Sequence, residues 1–156
     1  TEQVLTHIDI DDILTEKHFE MKKAQLLENT KKRGKNVSTI DWANITYAEY
    51  VEKYEKTKTS CLKQTIAGRK FHELNRKLRE ELSSVDGAVI VDFDGTIIAC
   101  GAIVRIEAGS MGGGRLAATS TLAKYGVAVK ISQDGIMQAF MADKKTGRVK
   151  PIFTVG

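Results

Sequence analysis

The chain is poor in the residues from which disulfide frameworks, zinc sites and membrane spans are built. Only Cys61 and Cys100 occur among its 156 residues, far apart and without CxxC spacing, so neither a disulfide framework nor a cysteine-ligated zinc site is predicted. No apolar run approaches the length needed to cross a bilayer, and no apolar N-terminal signal segment is present. These absences predict a protein of the reducing cytoplasm without a membrane partner.

Histidine and surplus positive charge are also scarce. The three histidines, His7, His18 and His72, show no pairing with a serine, cysteine or carboxylate constellation and are predicted to be surface or internally satisfied residues. The net charge of +4 is spread evenly, because residues 1–84 hold 16 basic and 14 acidic side chains and residues 85–156 hold 8 and 6. The densest basic cluster, near residues 31–35, lies at a predicted helix end and complements the helix dipole. Nucleic acid is therefore not a predicted partner.

Glycine divides the chain into two regions of different character. Two of the 13 glycines occur in residues 1–84 and eleven in residues 85–156. This contrast predicts a helical N-terminal region over 1–84 and a domain of strands, turns and one helix over 85–156.

Three helices are predicted in the first region. Thr15 caps a helix that runs to Arg33, Thr46 and Glu49 form the capping box of a second, and apolar residues at helical spacing predict a third over 60–83. The second helix carries a stripe of three tyrosines, which is predicted to be core and is also a hypothesis for an oligomerisation surface: Tyr47, Tyr50 and Tyr54.

Beyond residue 85 the apolar period becomes that of strands. Two short apolar runs flank the turn from Asp92 to Gly95, which predicts a β-hairpin with positive φ angles at Asp94 and Gly95. Further strands are predicted over 126–132, 136–142 and 149–155.

The strongest local motif is the glycine-rich segment 109–115, GSMGGGR, followed by the small-residue run LAATSTLA. Adjacent glycines let a backbone approach a ligand closely, and the N-terminus of the helix that follows favours an anion. The phosphate-binding residues predicted from this motif are Gly112, Gly113, Gly114 and Arg115. Thr119 and Thr121 are weaker candidates whose hydroxyls would reach a ligand from the helix.

Two aspartate motifs precede the glycine-rich segment. Asp86, followed by Gly87, could hold a divalent metal or a ribose hydroxyl, although a plain helix-to-strand turn also explains it. Residues 89–96, VIVDFDGT, match the signature of haloacid-dehalogenase-type phosphatases, in which Asp92 would be the nucleophile and Asp94 the general acid. Only 60 residues follow the motif, too few for the doubly wound fold of that family, and a hairpin turn explains both aspartates.

Together these motifs resemble the diadenylate cyclase domain, which condenses two ATP molecules into cyclic di-AMP. Residues 86–88 reproduce its DGA motif, residues 112–118 lie where its GTRHRAA motif belongs, and residues 129–135 resemble the strand and turn that close the pattern. The resemblance covers 85–156 and implies a nucleotide-binding α/β domain whose mixed β-sheet and helices are of the diadenylate cyclase type. It also implies that Asp86 acts with Mg²⁺ or Mn²⁺, that Gly87 and Ala88 line the adenine, and that two active sites face each other in a homo-oligomer.

The chain departs from the family where phosphates are held. Gly114-Arg115-Leu116 stands in place of Arg-His-Arg, so one cation of the triplet remains, and Leu122-Ala123 replaces the Ser-Glu pair. Phosphoryl transfer depends on positioning and charge stabilisation, whereas binding is less demanding. The sequence therefore predicts a sensor-like domain that binds an adenine nucleotide or a cyclic dinucleotide. An active cyclase is the first alternative and a phosphatase using Asp92 and Asp94 is the second.

Overall fold

A computed structural model describes residues 2–33, 41–54, 58–106 and 113–156. The chain divides into two compact units: Ile8–Ile103, here the hairpin unit, and Thr1–His7 with Val104–Gly156, here the sheet unit. Residues 85–103, which the sequence assigned to the C-terminal domain, therefore belong to the hairpin unit. The DGA motif and the glycine-rich segment consequently belong to different units.

Two helices of the hairpin unit begin where the capping residues predict. Helix α2 (Glu16–Arg33) follows Thr15, whose carbonyl accepts the Phe19 N–H at 2.9 Å. Helix α3 (Tyr47–Tyr54) opens with the predicted capping box, because the Thr46 N–H donates to Glu49 Oε2 at 2.9 Å and the Glu49 N–H donates to Thr46 Oγ1 at 3.2 Å. Both predicted helix starts are confirmed.

The single helix predicted over 60–83 is wrong. The structure has α4 (Lys58–Ile66), a 3₁₀ turn (Phe71–Glu73) and α5 (Arg76–Ser84) in its place. Gly68 adopts φ +68°, which ends helix α4, and the following backbone pairs with the hairpin because the Ile97 N–H donates to Arg69 O at 3.0 Å. Asn75 then starts α5 by accepting the Leu78 N–H at 2.9 Å.

The predicted hairpin is confirmed. Strand β1 (Ala88–Val91) pairs antiparallel with β2 (Ile97–Ala102), and the Gly95 N–H closes the turn by donating to Asp92 O at 3.0 Å. Gly95 has φ +88°, whereas Asp94 does not take the predicted positive φ. The pairing register shifts between Ala88 and Ile90 and again before Val91, which marks a bulged ladder.

The core of the hairpin unit collects apolar side chains from helices and strands alike. Its buried cluster is Leu14, Ile66, Leu74, Leu82, Ile97 and Cys100. A second set of contacts surrounds the buried Phe19, whose ring packs against Tyr47 and Tyr50 at centroid distances of 5.3 and 5.2 Å. Tyr50 is buried, and the Tyr47 hydroxyl donates to Leu14 O at 3.0 Å.

Tyr47 and Tyr50 of the tyrosine stripe therefore pack into the core, as one of its two interpretations predicts. Its use as an oligomerisation surface is not supported, because the Tyr50 ring is already covered within its own unit. The side chain of Tyr54, the third member of the stripe, lies outside the described residues.

The sheet unit contains helix α6 (Gly113–Leu122) and strands β3 (Ala128–Ile131), β4 (Met137–Ala142) and β5 (Val149–Val155). The strands pair antiparallel in the order β3-β4-β5. The resemblance to the cyclase domain implies a mixed sheet, but short turns join consecutive strands here, and such turns allow only antiparallel neighbours. The described chain thus has a mixed helix-and-strand composition with two small antiparallel sheets.

The three-stranded sheet has one packed face and one open face. Ala128, Phe140 and Val149 pack against α6 and its end at Ala123. The opposite face, here the open face, presents side chains that are 39–60% exposed: Val127, Val129, Ile131, Met137, Met141, Phe153 and Val155. Strand alternation places these residues together because Val129 pairs with Ala139, Ile131 with Met137, and Met137 with Val155.

A short helix, α1 (Glu2–Leu5), joins the sheet unit through His7. The His7 Nε2 atom lies 2.8 Å from the Tyr125 hydroxyl, and Nδ1 lies 3.2 Å from Arg105 O. A carbonyl can only accept, so the proton is on Nδ1 and the tyrosine donates to Nε2. His7 is thus internally satisfied, as predicted, while His72 is exposed and His18 is buried.

Candidate anion site at the start of helix α6

The glycine-rich segment leads directly into helix α6. Gly113 has φ +82°, a conformation that residues with a β-carbon rarely adopt, and a β-carbon added there or at Gly114 would meet no atom within 4 Å. The backbone therefore lies open to a neighbour at this point. The first turn of a helix directs N–H groups without intrahelical acceptors outwards and carries partial positive charge. Gly112 lies outside the described residues.

A cavity of about 290 Å³ opens beside this first turn. Its lining residues come from the start of α6 and from the end of β3: Gly113, Gly114, Arg115, Leu116, Lys130, Ser132 and Gln133. Two of the described lining side chains are cationic and none is acidic. The cavity thus combines a helix N-terminus, two cations and neutral hydrogen-bonding groups, which is an arrangement suited to an anion.

Lys130 is the second cation of the cavity, and it was not among the predicted site residues. It lies two positions after Ala128, which packs against α6, and side chains two apart share one face of a strand. Lys130 is therefore directed to the helix side of the sheet, where its Nζ also donates to Gln138 Oε1 at 3.2 Å. The signal available in the sequence was the strand alternation itself, which places Lys130 on the same face as Ala128.

Comparison with protein-family models, with curated proteins and with solved structures gave no match. Across the described residues, no helix is both long and apolar enough to span a membrane. The geometry of the chain itself is therefore the basis for its proposed function.

The two threonines predicted as weaker ligand contacts are placed elsewhere. Thr119 and Thr121 are 7% and 4% exposed, and neither lines the cavity. Their hydroxyls donate to carbonyls one turn back in α6, Thr119 to Arg115 O at 2.7 Å and Thr121 to Ala117 O at 3.0 Å. Because both hydroxyls are buried and already bonded, these residues do not belong to the candidate site.

The DGA motif lies in the hairpin unit at the entry to β1. Asp86 is exposed and its Oδ1 accepts the Gly87 N–H at 3.1 Å. Gly87 has φ +99°, and a β-carbon there would lie 2.5 Å from both C and O of Gly101 on β2. The hairpin backbone itself therefore requires glycine at position 87, independently of any ligand.

A divalent metal would find a single carboxylate at Asp86. Within the described residues, no group of three or more His, Cys, Asp or Glu side chains is arranged to hold an ion. Mg²⁺ held by one carboxylate takes its other ligands from water and substrate phosphates. Asp86 could thus hold Mg²⁺ or Mn²⁺ only together with a bound nucleotide, and it does not form a metal site alone.

The aspartates of the phosphatase-like motif serve the hairpin turn. Asp92 Oδ1 accepts the Phe93 N–H at 2.7 Å, and Asp94 Oδ1 accepts the Thr96 N–H at 2.9 Å. The hydrogen bond from the Thr96 backbone lowers the pKa of Asp94 below its ordinary value. A general acid needs the opposite shift, so this environment favours a structural role for Asp94.

Proposed function

We propose that this protein binds a nucleotide, with the phosphates held in the cavity at the start of α6. The observation that carries the proposal is the convergence of Arg115, Lys130 and the first turn of α6 on one cavity, whose described lining residues include no acidic side chain. Arg115 offers a fork of donors that matches phosphate oxygens, and Lys130 adds a compact second charge. The open backbone at Gly113 and Gly114 lets oxygen atoms approach the helix N-terminus.

The size of the cavity limits which part of a nucleotide it holds. Ligand pockets generally measure about 300–1,000 Å³, so a volume of about 290 Å³ suits a phosphate group or a short phosphate chain. The base and ribose of a nucleotide would extend beyond it. By the cyclase resemblance, Asp86, Gly87 and Ala88 would contact ribose or adenine, and the fold would be of the diadenylate cyclase type. With one cation in place of the family's triplet, we favour binding over catalysis.

Ligand binding and catalysis are separable in one experiment. Thermal unfolding is followed with inorganic phosphate, pyrophosphate, ATP, GTP and cyclic di-AMP, and the ATP samples with Mn²⁺ are then analysed for products. A sensor-like domain is stabilised by an adenine nucleotide or a cyclic dinucleotide and leaves ATP intact. Cyclic di-AMP formation would establish the active cyclase instead, and phosphate release abolished by Asp92→Asn would establish the phosphatase. If no phosphate-bearing compound changes the unfolding temperature, the proposed function is wrong.

Homo-oligomerisation, which the cyclase resemblance implies, finds its best support in the open face. Single exposed apolar residues are common on protein surfaces, but seven on one sheet face form a contiguous patch. Two sheets can pack face to face through such a patch. We expect the double variant Val129→Thr with Ile131→Thr to weaken self-association at least about tenfold, as measured by analytical ultracentrifugation. The control is Ile103→Thr, which alters a 63% exposed side chain in the hairpin unit. A wild-type protein that stays monomeric at high concentration would contradict this expectation.

A further inference from the structure

His18 is a buried titratable group that the proposed nucleotide site does not use. It lies in the first turn of α2 and is 4% exposed. Its backbone N–H points to Thr15 Oγ1 at 3.4 Å, and its Nδ1 is hydrogen-bonded to the same oxygen. The Thr15 hydroxyl can donate to Nδ1, and the Asp92 carboxylate beside the ring favours the neutral tautomer with its proton on Nε2.

The Nε2 atom faces the turn between β1 and β2. It is buried without a hydrogen-bond partner among the described residues and lies 3.8 Å from Asp92 Oδ2. That separation is too long for a hydrogen bond, although the Asp92 side chain is itself only 13% exposed. The start of α2 and the hairpin turn therefore meet at a histidine and a carboxylate that lie within ion-pair distance but beyond hydrogen-bond length.

We propose that His18 and Asp92 form a proton-sensitive lock between the first turn of α2 and the β1–β2 turn, closed while His18 is neutral and loosened when His18 is protonated. An imidazolium needs water or a close anion, and the nearest carboxylate lies beyond hydrogen-bond reach of this buried ring. Protonation is therefore easier when the contact opens and the ring meets solvent. The proposal concerns only the hairpin unit and does not depend on nucleotide binding.

The charges around the His18 ring determine the pH range over which its protonation weakens the contact. Burial is the largest influence and lowers the pKa of His18 below 6.5, and Lys17 lowers it further. Asp92 and, more weakly, Asp94 act in the opposite direction. The open state thus takes up its proton first as the pH falls below about 6.5, so the lock is fully effective above that value and weakens as the pH approaches the pKa of folded His18.

Hydrogen exchange followed by NMR tests this lock on the full chain. The reporter amides are Asp92, which donates to Thr96 O at 2.8 Å, and Phe19, which donates to Thr15 O at 2.9 Å. After correction for intrinsic rates, we expect their opening to increase by up to about tenfold per pH unit below about 6.5. In Asp92→Asn, which removes the attracting charge, the increase should continue to a lower pH than in the wild type.

His18→Asn should abolish this pH dependence, whereas His72→Asn should retain it. His72 is a matched control because it lies beside the same turn, near Gly95, with a side chain that is 65% exposed. If His18→Asn does not fold, titration of the His18 ring in wild type and Asp92→Asn gives the same answer, with a lower pKa in the variant. Equal pH dependence of the reporter amides in wild type and His18→Asn, or an identical ring titration in wild type and Asp92→Asn, would overturn the proposal.

Discussion

Replacing Gly87 with alanine is expected to lower the free energy of unfolding by about 4 kcal/mol, because strain and overpacking act at the same position. The strained backbone conformation contributes about 1–2 kcal/mol, since Gly87 has φ +99°. Overpacking adds about 1–3 kcal/mol, since the new β-carbon would lie 2.5 Å from the Gly101 carbonyl carbon and oxygen. Denaturant unfolding followed by circular dichroism measures the loss.

Gly68→Ala provides the matched control for this substitution. Gly68 lies in the same unit and has φ +68°, but a β-carbon there meets nothing within 4 Å. Gly68→Ala should therefore lower the free energy of unfolding by about 1–2 kcal/mol, which is the contribution of backbone conformation alone. Equal losses in the two variants would show that the close approach of β1 and β2 at Gly101 is not what requires glycine in the DGA motif.

The second large effect is expected from removing both cations of the cavity. Arg115→Ala alone should weaken nucleotide binding by about 1.5–3 kcal/mol, the value of a hydrogen bond to a charged group. The double variant Arg115→Ala with Lys130→Ala should lose about 3–5 kcal/mol, or roughly a hundredfold to several thousandfold in affinity by calorimetry. The helix N-terminus remains in that variant and would account for any residual binding.

The double variant Lys144→Ala with Lys145→Ala is the control for the loss of net positive charge. These lysines lie in the turn between β4 and β5 and do not line the cavity, so the control removes two positive charges from the same unit. It should retain affinity within about threefold at physiological salt, where charges more than about 8 Å apart are largely screened. Equal losses in both double variants would indicate general attraction of anions by a basic protein instead of a defined site.

Local sequence signals predicted those parts of the fold that depend on neighbouring residues. Thr15 and the Thr46–Glu49 capping box predicted two helix starts, and the DG pair predicted the hairpin. The predicted third helix was wrong because Ile66 and Leu74 keep a helical spacing through a segment that the structure uses to pair with β2. Gly68 was the available signal for that break. Tertiary pairing overrode the local pattern, as it commonly does.

In the candidate site, too, local sequence signals predicted some residues, whereas tertiary packing determined others. Gly113, Gly114 and Arg115 were predicted because adjacent glycines before a helix have a local physical meaning, and the structure brings them to one cavity. Lys130 was missed because it reaches the cavity through strand alternation and the packing of α6 on β3. Thr119 and Thr121 were included because helix position alone does not reveal that a hydroxyl bonds back to its own helix.

The most direct test of the nucleotide-binding proposal is an amide NMR titration with ATP and, separately, with pyrophosphate. The account predicts that the largest shift changes occur at Gly114, Arg115 and Leu116 in the first turn of α6 and at Lys130 on β3. Pyrophosphate should reproduce the changes at these positions, because the cavity accommodates the phosphate chain. Saturable binding whose shift changes leave these amides unaffected, or no binding of either compound, would contradict the account.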